Sequence, residues 1–106
     1  MSRIVAVGER HFVAAFAGVG AELRPCETDE QFRQTLAELR RDRELGLVVA
    51  EERFASGSPE AVEDFRKISS ATLLPLQSRV TDQHPALDWM RHLIEKSTGA
   101  NLLGEY

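Results

Sequence analysis

Residues 45–52 of the chain read LGLVVAEE. An apolar run this short, rich in valine and without polar alternation, is typical of a β-strand covered on both faces, as in a parallel sheet. A second such run, IVAV, occupies residues 4–7 and is likewise followed by a glycine and charged residues. Two buried strands separated by helical pattern predict crossover units, with all strands ending at one edge of the sheet. That edge is where α/β proteins bind their ligands.

The rest of the chain alternates strand and helix patterns in the order β-α-β-α-β-α-β-α. This order predicts a small Rossmann-like α/β fold (flavodoxin- or receiver-like), a parallel four-stranded sheet with helices on both faces. Prolines at 25 and 75 favour edge positions for the second and fourth strands. We expect one domain over residues 1–106, with 86–106 as C-terminal helix and tail. The predicted strands are 3–7, 21–24, 45–50 and 72–76, and the predicted helices are 9–17, 29–43, one starting at 59, and 86–97.

Local signals support the helices. Thr28 and Gln31 have the spacing of a capping box, and Ser58 before Pro59 is typical of a helix start. The stretch 18–20, GVG, predicts a helix stop followed by a turn. Arginines at 40, 41 and 43 are expected to close the second helix and complement its dipole. Apolar residues at helical spacing are expected to face the core: Phe12, Val13, Phe16, Phe32, Leu36, Leu39, Val62, Phe65, Ile68, Leu87, Met90 and Ile94.

Composition narrows the class of protein. The 106 residues are 42% apolar and carry a net charge of −4, which argues against binding to nucleic acid or to an anionic membrane surface. No run approaches the ~20 apolar residues that span a bilayer. Because the predicted first strand begins at residue 3, we expect no signal peptide. A single cysteine, Cys26, indicates a reducing compartment. We therefore expect a cytoplasmic protein.

Candidate chemical groups are scattered. Glu51 and Glu52 have the chemistry of a general acid/base pair, but neighbouring residues at a strand end point in opposite directions. Carboxylates at such a position more commonly cap a helix or form an ion pair, here with Arg10 or Arg53. Cys26 on a loop is a possible nucleophile, with a structural thiol as the alternative.

Other binding signatures are incomplete. The three histidines lie on separate elements without the close spacing of a zinc site. The GVG stretch lacks the third glycine of a dinucleotide fingerprint and follows a helix rather than a strand. No cofactor, metal or catalytic residue is predicted.

Trp89 on the last helix lies about 200° from Leu87 and so falls off the expected buried stripe. Together with Arg91, His92 and Glu95 it forms a candidate partner interface, since Trp and Arg are enriched where interfaces concentrate their energy. The alternative is that Trp89 lies across the helix edge and completes the core.

Four stretches resemble the F subunit of the archaeal/vacuolar-type (A/V-type) rotary ATPases. They are a first strand followed by a Gly-acid-base turn at residues 4–10, a Phe-x-x-Gly-hydrophobic signature at 16–19, a Gly-hydrophobic run ending in Glu at 45–52, and a Gly-x-Asp/Asn-Leu ending at 99–103. Two positions depart from the family pattern. Glu9 stands where an Asp is usual, and Gln77 replaces the proline of an Ile-Pro-Ser motif, whose serine remains as Ser78.

The resemblance implies a noncatalytic component of the central rotor stalk. Such a component binds the coiled-coil D subunit, turns inside the catalytic A/B hexamer, and modulates the coupling of ATP turnover to rotation through its C-terminal segment. It implies a peripheral location on a proton- or sodium-translocating membrane complex, without membrane insertion. The alternative is a degenerate receiver-like signalling module without phosphotransfer, because the third strand ends in Glu51-Glu52 rather than Asp and a fifth strand with its Lys is absent.

Overall fold

The computed structural model describes residues 3–78. Four strands, β1 (Arg3–Gly8), β2 (Glu22–Pro25), β3 (Leu45–Glu51) and β4 (Thr72–Leu76), form one parallel sheet in the order β2-β1-β3-β4. Within the described residues four α-helices accompany it: α1 (Arg10–Ala14), α2 (Asp29–Leu39), α3 (Glu52–Gly57) and α4 (Pro59–Ile68). The parallel α/β prediction is confirmed, and both proline-containing strands lie at the edges of the sheet. The predicted last helix and tail, 86–106, lie outside the described residues.

Helices cover both faces of the sheet. On one face α2, α3 and α4 pack against alternate residues of the strands, and their cluster includes Phe32, Phe54 and Phe65. On the other face α1 and the segment after it contribute Phe12 and Phe16. The central strands β1 and β3 are therefore buried on both sides, because successive side chains of a strand point to opposite faces.

The cap of α2 forms at Thr28 as predicted, although Gln31 reaches back one residue further than in a standard capping box. The Thr28 hydroxyl accepts from the backbone N–H of Gln31 at 3.1 Å, and the Gln31 side chain accepts from the backbone N–H of Glu27 at 2.7 Å. The predicted stop after the first helix is also confirmed. A 3-10 turn (Ala17–Val19) ends at Gly20, whose φ of 83° lies in the left-handed region that favours glycine.

Some predicted boundaries are wrong. The first helix ends at Ala14 rather than residue 17, and the second ends at Leu39 rather than 43, so the arginines at 40, 41 and 43 follow α2 instead of forming its last turn. An extra helix, α3, begins directly after β3, where no helix was predicted. Its six residues are too short to show a clear apolar stripe of helical period.

Two predicted side-chain roles are also wrong. Ser58 precedes α4, but its hydroxyl makes no capping bond and instead accepts from Nη1 of Arg33 at 3.3 Å. Ile68 is 53% exposed, whereas Val62 and Phe65 on the same helix are buried. Each step of three residues rotates about 60° backwards around a helix, so residue 68 has turned about 120° away from residue 62 and out of the core.

Candidate functional site

Glu51 lies at the centre of the carboxyl edge of the sheet. It is the last residue of β3, and it is 1% exposed despite its charge. Its Oε1 accepts from the backbone N–H of Glu9 at 2.8 Å, while its Oε2 accepts from Nε of Arg53 at 3.0 Å and from the hydroxyl of Ser78. One carboxylate therefore ties together the segments that follow β1, β3 and β4.

The close approach of Glu51 to β1 requires a glycine at position 8. A Cβ on Gly8 would lie 2.8 Å from Cβ of Glu51, 2.9 Å from its Oε1 and 2.7 Å from Cδ2 of Phe12. Contacts this short are repulsive, so any larger residue would push the carboxylate away from the N–H that it accepts from. Gly8, the last residue of β1, thus has a packing role.

The hydrogen bonds decide the charge state of Glu51. Burial alone would raise its pKa, but the bonds from Glu9, Ser78 and Arg53 and the positive charge of Arg53 outweigh burial, and the pKa is lowered. A general acid at neutral pH needs the opposite shift. Glu51 is therefore an ionised acceptor with both oxygens occupied, and the prediction of an ion pair with Arg53 is confirmed.

Arg53 is itself positioned from both sides. Its guanidinium carbon lies 4.5 Å from the centroid of the Phe54 ring, a cation–π geometry, while its Nε is bound to Glu51. Glu52, the other half of the predicted acid pair, starts α3 and accepts from the hydroxyl of Ser56 at 2.6 Å. The two adjacent carboxylates thus have separate partners.

Cys26 lies just beyond β2, at the same edge of the sheet, and is 2% exposed. Burial, reinforced by the negative charge of Glu51, raises the pKa of the Cys26 thiol to about 11. A thiol with this pKa is almost entirely protonated near neutral pH and is a poor nucleophile. Of the two interpretations open from the sequence, the structural one fits these contacts.

The remaining candidate site residues are not shown in contact with Glu51. His11 has a side chain that is 94% exposed and lies beside the Glu9 carboxylate, which accepts from the backbone N–H of His11 and so caps α1. Within residues 3–78, no three His, Cys, Asp or Glu side chains are grouped as a metal site would require. No helix of this part of the chain is both long and apolar enough to cross a bilayer. The other histidines, His84 and His92, and the candidate interface residues Trp89, Arg91 and Glu95 lie outside the described residues.

Sequence reasoning did not assign Ser78 or Gly8 a role at this edge. The signals were present: a glycine at the end of the first strand, and a serine two residues after the fourth. Because parallel strands end at one edge, these positions are close to the end of β3, but no local pattern shows that a buried carboxylate joins them.

The described residues define a class of protein: a small doubly wound α/β domain whose carboxyl edge is closed by an internal ion-pair and hydrogen-bond network. Comparison with protein families identifies the family. Residues 4–94 match the model of the ATP synthase (F/14-kDa) subunit, and the chain belongs to that family. A comparison with curated proteins gave no match.

Proposed function

We propose that the chain is a noncatalytic component of the central rotor stalk of an A/V-type ATPase or ATP synthase that moves protons or sodium ions. In this role it binds the coiled-coil D subunit within the catalytic A/B hexamer and modulates the coupling of ATP turnover to rotation. The observation that carries the proposal is the family match over residues 4–94. The protein would work on the cytoplasmic side, peripheral to the membrane part of the complex.

The chemistry of the carboxyl edge supports a mechanical role. Both oxygens of Glu51 are occupied by groups of the chain itself, and the thiol of Cys26 is buried and protonated. The bonds to Glu51 hold the ends of the strands together. A domain that transmits torque benefits from such bracing, because the bonds from Glu9 and Ser78 to Glu51 link segments that are 42 and 27 residues apart in the sequence.

Formation of the stalk complex is the direct test. The full chain is co-expressed with the proteins encoded beside it, and the assemblies are separated by size and identified by mass spectrometry. We expect a stable one-to-one complex with a long helical hairpin. Recovery with a histidine kinase, and without any ATPase component, would instead support the receiver-like alternative.

Trp89 is proposed as an anchor of this interface, with Arg91, His92 and Glu95 beside it. Trp89→Ala should weaken binding to the coiled-coil partner by about tenfold or more, since a buried interface Trp typically contributes about 2 kcal/mol or more. Trp89→Phe, which retains an aromatic ring, should lose less. Affinity is measured by titration calorimetry and the thermal midpoint of the isolated chain by circular dichroism.

The two interpretations of Trp89 give opposite results. An interface residue leaves the thermal midpoint of the isolated chain within a few degrees of wild type while affinity falls. A core residue lowers the midpoint sharply and leaves the affinity of the folded fraction unchanged.

A further inference from the structure

A second surface lies at the amino edge of the sheet, opposite Glu51. The loop after α2 and the end of α4 enclose an open cleft of about 580 Å³, lined by residues 40–43 and 68–70. These two segments lead into β3 and β4. We call this surface the amino-edge cleft.

The cleft has unpaired positive charge. Arg41 and Arg43 are exposed, and no ion pair involves either of them within residues 3–78. Arg40, the third arginine, is held by an ion pair with Asp64. Arginines without partners stand out in a chain whose net charge is −4.

Asp42, the one acid among the described residues that line the cleft, does little to cancel this charge. The carboxylate of Asp42 accepts from Arg3 and, at 2.9 Å, from the backbone N–H of Glu44. Both interactions hold the pKa of Asp42 below its usual value. Asp42 is therefore ionised and already paired with Arg3, which leaves the other two arginines as the net charge that a ligand would meet.

The cleft also contains an exposed apolar side chain. Ile68 is 53% exposed, more than any other large hydrophobic residue of the described range; Leu23 is next at 37%. A single exposed isoleucine is ordinary on a protein surface. An isoleucine exposed in a concave surface beside arginines is less common. Such a surface resembles a binding site, because interface energy concentrates where apolar anchors and arginines occur together.

We propose that the amino-edge cleft binds an acidic segment of a partner protein, with carboxylates on Arg41 and Arg43 and an apolar side chain against Ile68. The partner is expected to be acidic because its carboxylates complement the charge of the two arginines. It is expected to be a protein segment rather than a bare anion because Ile68 offers a contact for an apolar side chain. A nucleic-acid strand fits less well, since none of the described residues that line the cleft is an aromatic one that could stack on a base. The proposal does not depend on the stalk assignment, because it rests on residues 40–43 and 68–70 alone.

The test uses the full-length chain and a fluorescently labelled synthetic peptide of Glu-Leu heptads, with a matched peptide carrying Gln in place of Glu. Binding is followed by fluorescence anisotropy at low salt and at about 0.3 M salt, where surface charges are largely screened. We expect the Glu peptide to bind and the Gln peptide to bind at least about tenfold more weakly. Salt should reduce the difference.

Matched variants locate the binding. Arg41→Glu and Arg43→Glu should each weaken binding of the Glu peptide by about tenfold, and Ile68→Ser by about fivefold. Arg10→Glu makes the same change of charge at the exposed start of α1, at the opposite edge of the sheet, and should alter affinity less than about twofold. Circular dichroism confirms that each variant is folded.

Three outcomes would overturn the proposal. One is an equal loss from Arg10→Glu and Arg43→Glu, which indicates nonspecific attraction. A second is inorganic phosphate shifting the amide resonances of residues 41 and 43 as strongly as the peptide does, with no effect of Ile68→Ser, which indicates an anion site. The third is absence of peptide binding. Failure of the stalk proposal would appear separately, as loss of the coiled-coil complex with peptide binding intact.

Discussion

Glu51 shows how one residue acquires a role through its neighbours. A carboxylate buried to 1% exposure is costly unless its charge is compensated. Here the compensation comes from a backbone N–H, a guanidinium and a hydroxyl, contributed by Glu9, Arg53 and Ser78. Gly8 leaves the space that this arrangement needs. Glu51 has the chemistry of a catalytic acid, but in this fold its carboxylate links the segments that follow the strands.

The lowered pKa of Glu51 makes stability depend on pH. Because the folded-state pKa lies below the unfolded value of about 4.3, the stabilisation is complete above that value and disappears as pH falls through the folded-state pKa. Glu51→Gln should cost about 1–3 kcal/mol at pH about 7. The gap between wild type and variant should narrow steadily below pH about 4. Urea denaturation over this pH range measures both.

Glu52→Gln is the matched control. It removes the adjacent, partly exposed carboxylate and should cost about 0.5 kcal/mol or less. If the cost of Glu51→Gln stayed constant from neutral pH down to pH about 2, the charge of Glu51 would not be the source of its contribution.

Among the elements, α2 depends most visibly on its cap. One of the orphan N–H groups at its start, that of Gln31, donates to the Thr28 hydroxyl, while the Gln31 side chain reaches back to the preceding segment. Its other end has no equivalent side-chain cap among the described residues, and the chain leaves the helix at Arg40. The arginines that follow are therefore available to the amino-edge cleft instead of completing a helical turn.

Thr28→Ala should destabilise the chain by about 1 kcal/mol, since it removes the acceptor for the N–H of Gln31. Thr28→Ser keeps the hydroxyl and should lose less than half as much. The two variants are compared by hydrogen exchange of the Gln31 amide and by urea denaturation. Equal losses for Ala and Ser would assign the effect to the lost methyl group rather than to the cap.

At the level of the whole molecule, two apolar clusters sandwich the sheet, and Cys26 belongs to the larger one. Its burial makes it a reporter of the integrity of that cluster. Because Cys26 is the chain's only cysteine, thiol labelling reads a single position.

We expect native Cys26 to react with a thiol reagent at pH about 8 at least about 100-fold more slowly than in the denatured chain. A pKa of about 11 alone lowers the thiolate fraction by about that factor, and burial slows access further. Stopped-flow absorbance measures the rate. Comparable rates in the native and denatured chain would contradict the burial of Cys26.

Local patterns were sufficient for the class of fold. Short apolar runs identified the parallel strands, prolines 25 and 75 identified the edges, and the Thr28–Gln31 spacing identified the cap, because each depends on residues close in sequence. The resemblance to a rotary-ATPase component rested on motifs of the same local kind, and the family match agrees with it.

Only the tertiary structure shows that Glu51 turns inward, that Ile68 is exposed and that arginines line a cleft. Glu51 is bound by groups 42 and 27 residues away, and the two segments of the cleft are separated by the whole of β3, α3 and most of α4. No local pattern records such distances. Whether a polar group is buried depends on which partners the packed sheet brings to it, and that is a property of the three-dimensional arrangement.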